Sequence, residues 1–534
     1  MSTEKPSAQV YVRKSSGLIR SINPREALIS NLIGMGIVVN FLWICFASLL
    51  YPNADLPLTV PLAFVVCAVV AYVYWMLSSA MPRTGGDYIY VGRILHPALG
   101  FMVNFVLVTI MVTWVGTFGL YFSAFFAPIT LGAISQATGN PAYASLGTYL
   151  GTVNGEFVGG FVLATIAFAV LFLPAKWIMR VLLAVFAAQL VIYLWMMAAL
   201  IPLSHSDFVN AFNAQSGTTV QAVLDAAQKS GVDWSITSFG TSIGIVYTIL
   251  SFIGYNNSAY FAGEISGEPR KSQGIAIFVS PMIFAVVIYI LYAVSFNVFG
   301  HDFLVASNTL ALTGNSAWSL PYLPSPVYLI SFVTDNPLLK VLAPLGLVLT
   351  CFGFMVEWTF VPIRNVFAWS FDRILPMKFA EVDRRGVPWA STILYVIVGY
   401  ISLYLAVYTT VFSYMAYTNF AYSLAFAIVC FSAAVFPFLK KTKDIWDNSP
   451  SIVKLKVGPA PLITLMGVIG GVLSLWVSFS SMLPAFTGTA ISPVYTASML
   501  AVFAIALVIY AISYAYQKSK GVPIDLVAKE LPPL

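Results

Sequence analysis

Three stretches of this chain could do chemistry, and all three lie in strongly apolar surroundings. Glu357 stands in "MVEWTFVPIRNV", Met355 to Val366, next to Trp358 and seven residues before Arg364. On a helix that spacing is about 10.5 Å along the axis. An acid so far inside an apolar run costs a few kcal/mol to ionise even on a mild scale, which makes it a candidate for taking up and releasing a proton. The competing reading is a protonated or paired carboxyl that joins helices. The second stretch, "ALISNLIGMGIVVNFLWICFASLL", brackets Met35 between Gly34 and Gly36, with Asn31 and Asn40 on either side. The third, "SFIGYNNSAYFAGE", carries Gly254, Tyr255, Asn256 and Asn257 well inside its run. An interrupted helix exposes N–H groups where one half starts and carbonyls where the other ends. Two interruptions together could therefore hold a small molecule bearing both an anionic and a cationic group.

The elements that must position these residues are membrane helices. The chain of 534 residues is 59% hydrophobic and 9% charged, with mean hydropathy +0.88, whereas soluble domains carry about 25% charged residues. Twelve apolar runs are long enough to cross a bilayer, near 27–50, 57–81, 98–131, 157–174, 177–202, 237–264, 273–299, 338–371, 387–408, 410–437, 458–483 and 492–516. The fold class is an all-α polytopic membrane protein. The pieces at 203–236 and 300–337 read as the longest non-helical segments, with room for short helices that cap an outer vestibule.

With the N terminus inside, Lys5, Arg13, Lys14, Arg20 and Arg25, the Arg364–Arg385 cluster and the basic residues of the other alternate loops fall on one face, leaving Lys229 and Lys340 outside. That asymmetry predicts a multi-pass protein of the cell membrane with both termini cytoplasmic. The net charge of +6 is thus a matter of topology and calls for no nucleic-acid partner.

The interruptions fall in the first and sixth runs, five spans apart. An odd interval requires halves of opposite topology, the inverted-repeat pattern of secondary transporters. The expected organisation is a cytoplasmic segment 1–26, a first repeat 27–202, an outer loop 203–236, a second repeat 237–437, two further helices within 458–516 and a cytoplasmic tail 517–534. The competing explanation is close helix packing at small residues. Asn256, Asn257 and Ser258 also spell a glycosylation sequon, unusable at membrane depth.

Four motifs carry a family resemblance. "GLIRSINPREALISNLIGMGIVVN", "PRTGGDYIYVGRILHPALGF", "GYNNSAYFAGEISGEPRK" and "RNVFAWSFDRILPMKFAEVDRRGVPWAS" occur in order over residues 17–391. Together they resemble the amino acid, polyamine and organocation transporter superfamily. The resemblance implies a LeuT-like fold with discontinuous first and sixth helices in a five-plus-five inverted repeat, and alternating access for amino acids or related amines. It places Glu264 at a recurrent acidic position and Trp358 at a substrate-contacting one. Met35 replaces a usual small residue, and Asn256 stands where many relatives have glutamate, against specialisation for cationic side chains. Gln189 stands where proton-linked relatives often have lysine. Pro362 and Ile363 replace the hydroxyl residues of sodium sites, so both departures count against the usual coupling site; coupling is expected at Glu357, by a proton sooner than sodium, or not at all.

The substrate site is accordingly expected at Gly34, Met35, Gly36 and Ile37 for a carboxylate, and at Phe252, Ile253, Gly254, Tyr255 and Asn256 for an amino group and side chain, with Trp358 beside them. Phe252 and Tyr255 are candidates to close over it, or are ordinary core aromatics. Glu357 and Gln189 are the coupling candidates. Arg20 or Arg25 pairing with Asp372 would make an inner gate, unless these are solvated interfacial charges. Cys45, Cys67, Cys351 and Cys430 lack ligand spacing, and neither a metal, a cofactor nor a catalytic nucleophile is indicated. An exchanger or facilitator without ion coupling is the alternative function.

Overall fold

The computed structural model describes residues 17–410, 416–487 and 492–522. Lys5, Arg13 and Lys14, the segment 411–415 of the expected tenth span and the tail beyond 522 lie outside the described residues. Eleven helices among those described are long and apolar enough to span a membrane, from Pro24–Leu50 to Pro493–Ser519. A shorter apolar helix, Ser238–Phe252, continues past an interruption into Asn257–Tyr260 and occupies the sixth place in chain order. Strand is confined, among the described residues, to a hairpin pairing Lys456–Val457 with Ala460–Pro461. The chain is an all-α polytopic membrane protein.

The first span sits at the centre and the last at the edge, because 83% of the one and 11% of the other is covered by the rest of the chain. Local chemistry sets where these helices begin. Asn23 accepts from the Arg25 N–H while its own N–H donates to Glu26, and Pro24 fills the first helical position where no donor is needed. Thr237 caps Ser238–Phe252 by accepting from Gly240.

Two long spans carry a π turn, Phe122–Phe126 and Gly274–Val279. Each lies just before a proline, Pro128 and Pro281, whose missing N–H would otherwise break the helical ladder. The local widening lets both helices continue.

The stretches at 203–236 and 300–337 are more ordered than a non-helical reading allows. They hold the helices His205–Gln215, Val220–Lys229, His301–Leu312 and Pro326–Val333. Ser204, Thr219 and Ser325 cap three of them. Phe208 and Phe212 pack edge-on against Phe303 with ring centroids 5.0 and 5.1 Å apart. The short helices for which the sequence left room are thus present; two of them, His205–Gln215 and Val220–Lys229, bury only a narrow face, whereas Pro326–Val333 is apolar almost throughout.

Candidate functional site

The first span is cut where Pro24–Met35 ends at left-handed Gly36 (φ 71°, ψ 84°) and the chain turns before Asn40–Leu50. Asn40 reaches back and donates its amide to the Gly36 carbonyl at 2.8 Å, satisfying one group that the cut exposes. The N–H groups of Ile37, Val38 and Val39 donate to no acceptor among the described residues. Such a set of free donors at a half-helix start suits an anionic ligand.

The sixth span is cut at Gly254, whose φ of 125° is strained for any residue with a side chain. A Cβ there would lie 2.6 Å from the Gly34 carbonyl carbon and 2.9 Å from Met35 N, so glycine is what lets the two interruptions touch. Asn31 ties them together. Its amide donates to Ser258 Oγ at 3.1 Å, Ala276 O at 2.6 Å and Tyr255 O, while its oxygen accepts from the Ser258 N–H at 2.8 Å.

Glu357 and Trp358 meet these interruptions from the eighth span, Pro337–Phe371. Trp358 Nε1 donates to Gly34 O at 2.9 Å. Asn257 Nδ2 lies 3.4 Å from Glu357 Oε1, while Glu357 Oε2 has no hydrogen-bond partner and the residue is wholly buried. Ser30 stands beside that carboxyl with its hydroxyl outside hydrogen-bonding geometry. Gln189 is also buried, its Nε2 unpartnered, and lies near Gly353, which Ile33 and Val185 also approach. Buried polar atoms are normally paired, so these unpaired ones beside both interruptions make the region a candidate site.

The aromatic candidates diverge. Phe252 packs edge-on against Phe284 of the seventh span at 5.1 Å, and Tyr255 lies 6.1 Å from Phe426 of the tenth. The aromatic wall beside the Gly34 interruption is built from other rings: Phe354 stacks on Trp358 at 4.4 Å and on Phe118 at 3.8 Å, and Trp114 bridges Trp358 to Trp43.

At the end of the bundle where the first span begins, Glu264 and Arg364 form a two-point ion pair of 2.9 and 3.1 Å, buried, with the guanidinium 3.8 Å above the Phe360 ring. The expected gate pairing needs correction. Asp372 is buried and accepts from Arg93 at 3.1 Å and from the Tyr88 hydroxyl at 2.7 Å. Arg20 and Arg25 are exposed, and Arg20 Nε points 3.4 Å from the Gly263 carbonyl instead. Arg93 wins because it already lies inside the bundle, where a carboxylate needs its cation most.

Sequence reasoning passed over Asp87, the first residue of the short helix Asp87–Ile94 that follows the second span. It is fully buried, accepting from the Tyr74 and Tyr260 hydroxyls at 2.9 Å each and from Asn104 Nδ2 at 2.6 Å. Burial raises its carboxyl from the ordinary 3.8 to about 6, against the lowering effect of those hydrogen bonds. An acid directly after two glycines and before Tyr88 and Tyr90 was the available signal. Gly86 matters to the arrangement, since a Cβ there would sit 2.7 Å from the Tyr260 ring.

A segment of 79 residues, 15% of the chain, is 34% identical to uncharacterized protein 399 of Sulfolobus islandicus rod-shaped virus 1 and covers 20% of it. A segment of 136 residues, 25% of the chain, is 28% identical to the arginine/ornithine antiporter of Latilactobacillus sakei and covers 27% of it. The chain thus matches about a fifth to a quarter of the length of these relatives. The amino acid permease family, in contrast, matches residues 27–509, nearly the whole sequence. The chain belongs to the amino acid permease family, within the amino acid, polyamine and organocation superfamily.

Proposed function

We propose that this permease is a secondary transporter that moves an amino acid across the cell membrane by alternating access, with both termini on the cytoplasmic side. The contact of Gly254 with the Gly34–Met35 backbone carries the reading, because it brings the two helix interruptions within reach of one small zwitterion. The free N–H groups of Ile37, Val38 and Val39 suit its carboxylate, and the Phe252–Asn256 side suits its ammonium and side chain. Five-plus-five halves of opposite topology remain part of this proposal, as does the Arg93–Asp372–Tyr88 cluster as a closing contact at the cytoplasmic end.

Glu357 is the proposed proton carrier. Its Oε2 lacks a partner, it lies beside the sixth interruption, and Ser30, Asn257 and Arg364 are the polar side chains that act on it. The test is transport in proteoliposomes. Wild type should exchange an L-amino acid in counterflow and accumulate it when a pH gradient is imposed. Glu357→Gln should keep counterflow and lose accumulation; accumulation that survives would remove Glu357 from the coupling role.

Exchange of one amino acid for another without a proton is the second reading, favoured by the local similarity to an arginine/ornithine antiporter. It predicts uptake that depends on internal amino acid and ignores the pH gradient.

A further inference from the structure

We propose that Asp87 is a positioning residue for the binding site: acting through Tyr260, it orients the Asn256 amide so that its oxygen, rather than its NH2 group, is offered to the transported molecule. That molecule would then supply an N–H donor at this point, in competition with the Tyr422 hydroxyl, which stands beside Asn256 without a partner of its own. The inference rests on the transport reading above and adds to it the polarity of one subsite.

The argument is one of donors and acceptors. An ionised carboxylate can only accept hydrogen bonds. The Tyr74 and Tyr260 hydroxyls, each 2.9 Å from Asp87 Oδ2, must therefore both donate. With its proton committed, Tyr260 has only lone pairs left for Asn256, 3.0 Å away, so the Asn256 group facing it is NH2. Asn256 Oδ1 is then left buried with no partner. A bound N–H group would satisfy that acceptor, and an ammonium would do so most strongly.

The opposite end of the network fixes the same sense. Trp369 Nε1, which can only donate, gives its proton to Asn104 Oδ1 at 2.7 Å. The NH2 group of Asn104 consequently faces Asp87 Oδ1 at 2.6 Å and requires an acceptor there. Amide orientation, usually a matter of assignment, is thus dictated from both ends as long as Asp87 is ionised.

The loop is shaped to bring these groups together. The Gly85 N–H donates to the Tyr260 carbonyl at 2.9 Å, and bare Gly86 leaves room for the Tyr260 ring. The groups facing Asp87 are Tyr74 from the second span, Asn104 from the third, Tyr260 from the sixth, Tyr422 from the tenth, and, from its own helix, the Tyr90 side chain and the Tyr88 backbone N–H. None of them is a cation, so hydrogen bonds alone support the charge. Protonated Asp87 would donate instead, freeing Tyr260 to turn its proton toward Asn256 and the amide to turn over. Burial places that event near pH 6, so the subsite accepts above this pH and loses that preference below it.

Counterflow in proteoliposomes with L-ornithine, L-arginine, L-alanine and L-leucine tests the relay. Tyr260→Phe should raise KM about tenfold, the equivalent of one hydrogen bond, hold the maximal rate within about twofold, and abolish the rise of KM below about pH 6. Asp87→Asn should do the same. Tyr74→Phe removes a donor from the same carboxylate without touching Asn256; it should leave KM at neutral pH as in wild type and move the rise of KM to higher pH, because the Tyr74 hydrogen bond holds the Asp87 carboxyl down. Unchanged KM in Tyr260→Phe overturns the proposal, as does an equal effect from Tyr74→Phe, which would mean a merely structural role.

If wild type exchanges none of the four amino acids, the transport reading fails, and infrared difference spectra against pH judge the relay by themselves. The carboxyl band missing from Asp87→Asn should shift in Tyr260→Phe and again in Asn256→Ala. A band indifferent to Asn256→Ala overturns the relay.

Discussion

Trp358 gives its indole proton to the Gly34 carbonyl at 2.9 Å, so the eighth span satisfies a backbone acceptor that the first leaves open at its interruption. The bond joins two elements 324 residues apart in sequence and lies beside the Asn257 amide.

Trp358→Phe should therefore separate packing from hydrogen bonding. Phenylalanine can keep the stack on Phe354 while leaving the Gly34 carbonyl buried and unsatisfied, at a cost of about 1–3 kcal/mol. The expected result is a lower thermal midpoint of the purified protein and weaker stabilisation by added substrate. A midpoint equal to wild type would show that the bond contributes nothing to this state.

Glu264 and Arg364 invite a different experiment. Both are buried, and either single neutralisation strands the other charge, with a penalty of about 3–5 kcal/mol. Glu264→Gln and Arg364→Gln should each sharply reduce the yield of monodisperse protein. The double replacement should recover much of it, since two neutral amides remove the stranded charge. Additive losses in size-exclusion profiles would count against a coupled pair.

Asp87 should leave a mark on the pH dependence of stability. Its folded carboxyl is raised to about 6 from an ordinary 3.8, so protonation favours the folded state. The stability it contributes is fully present below about pH 4 and is lost as pH rises through about 6. In a series of thermal midpoints, wild type should therefore fall relative to Asp87→Asn between those values and run parallel to it above. Parallel curves throughout would mean that Asp87 titrates alike when folded and unfolded.

The spans and both interruptions were legible because each breaks a rule locally. Glycines and asparagines inside an apolar run stand out, and an acid before Trp358 stands out further. The Arg93–Asp372 pair was not legible, since its members are 279 residues apart and nothing local favours Arg93 over Arg20 or Arg25. Asp87 shows the same limit: its meaning depends on Tyr260, 173 residues away, and on a glycine that makes room for a ring. The helices within 203–236 and 300–337 were legible only as room for short helices, without bounds, because they are held by aromatic contacts between distant segments such as Phe208 with Phe303.

The Asn31 amide has a mechanical consequence. By holding Tyr255, Ser258 and Ala276 at once, it joins the first half of the first span, the sixth interruption and the start of the seventh span. Those three pieces are clamped at one side chain, so a strain applied to any of them is felt by the other two.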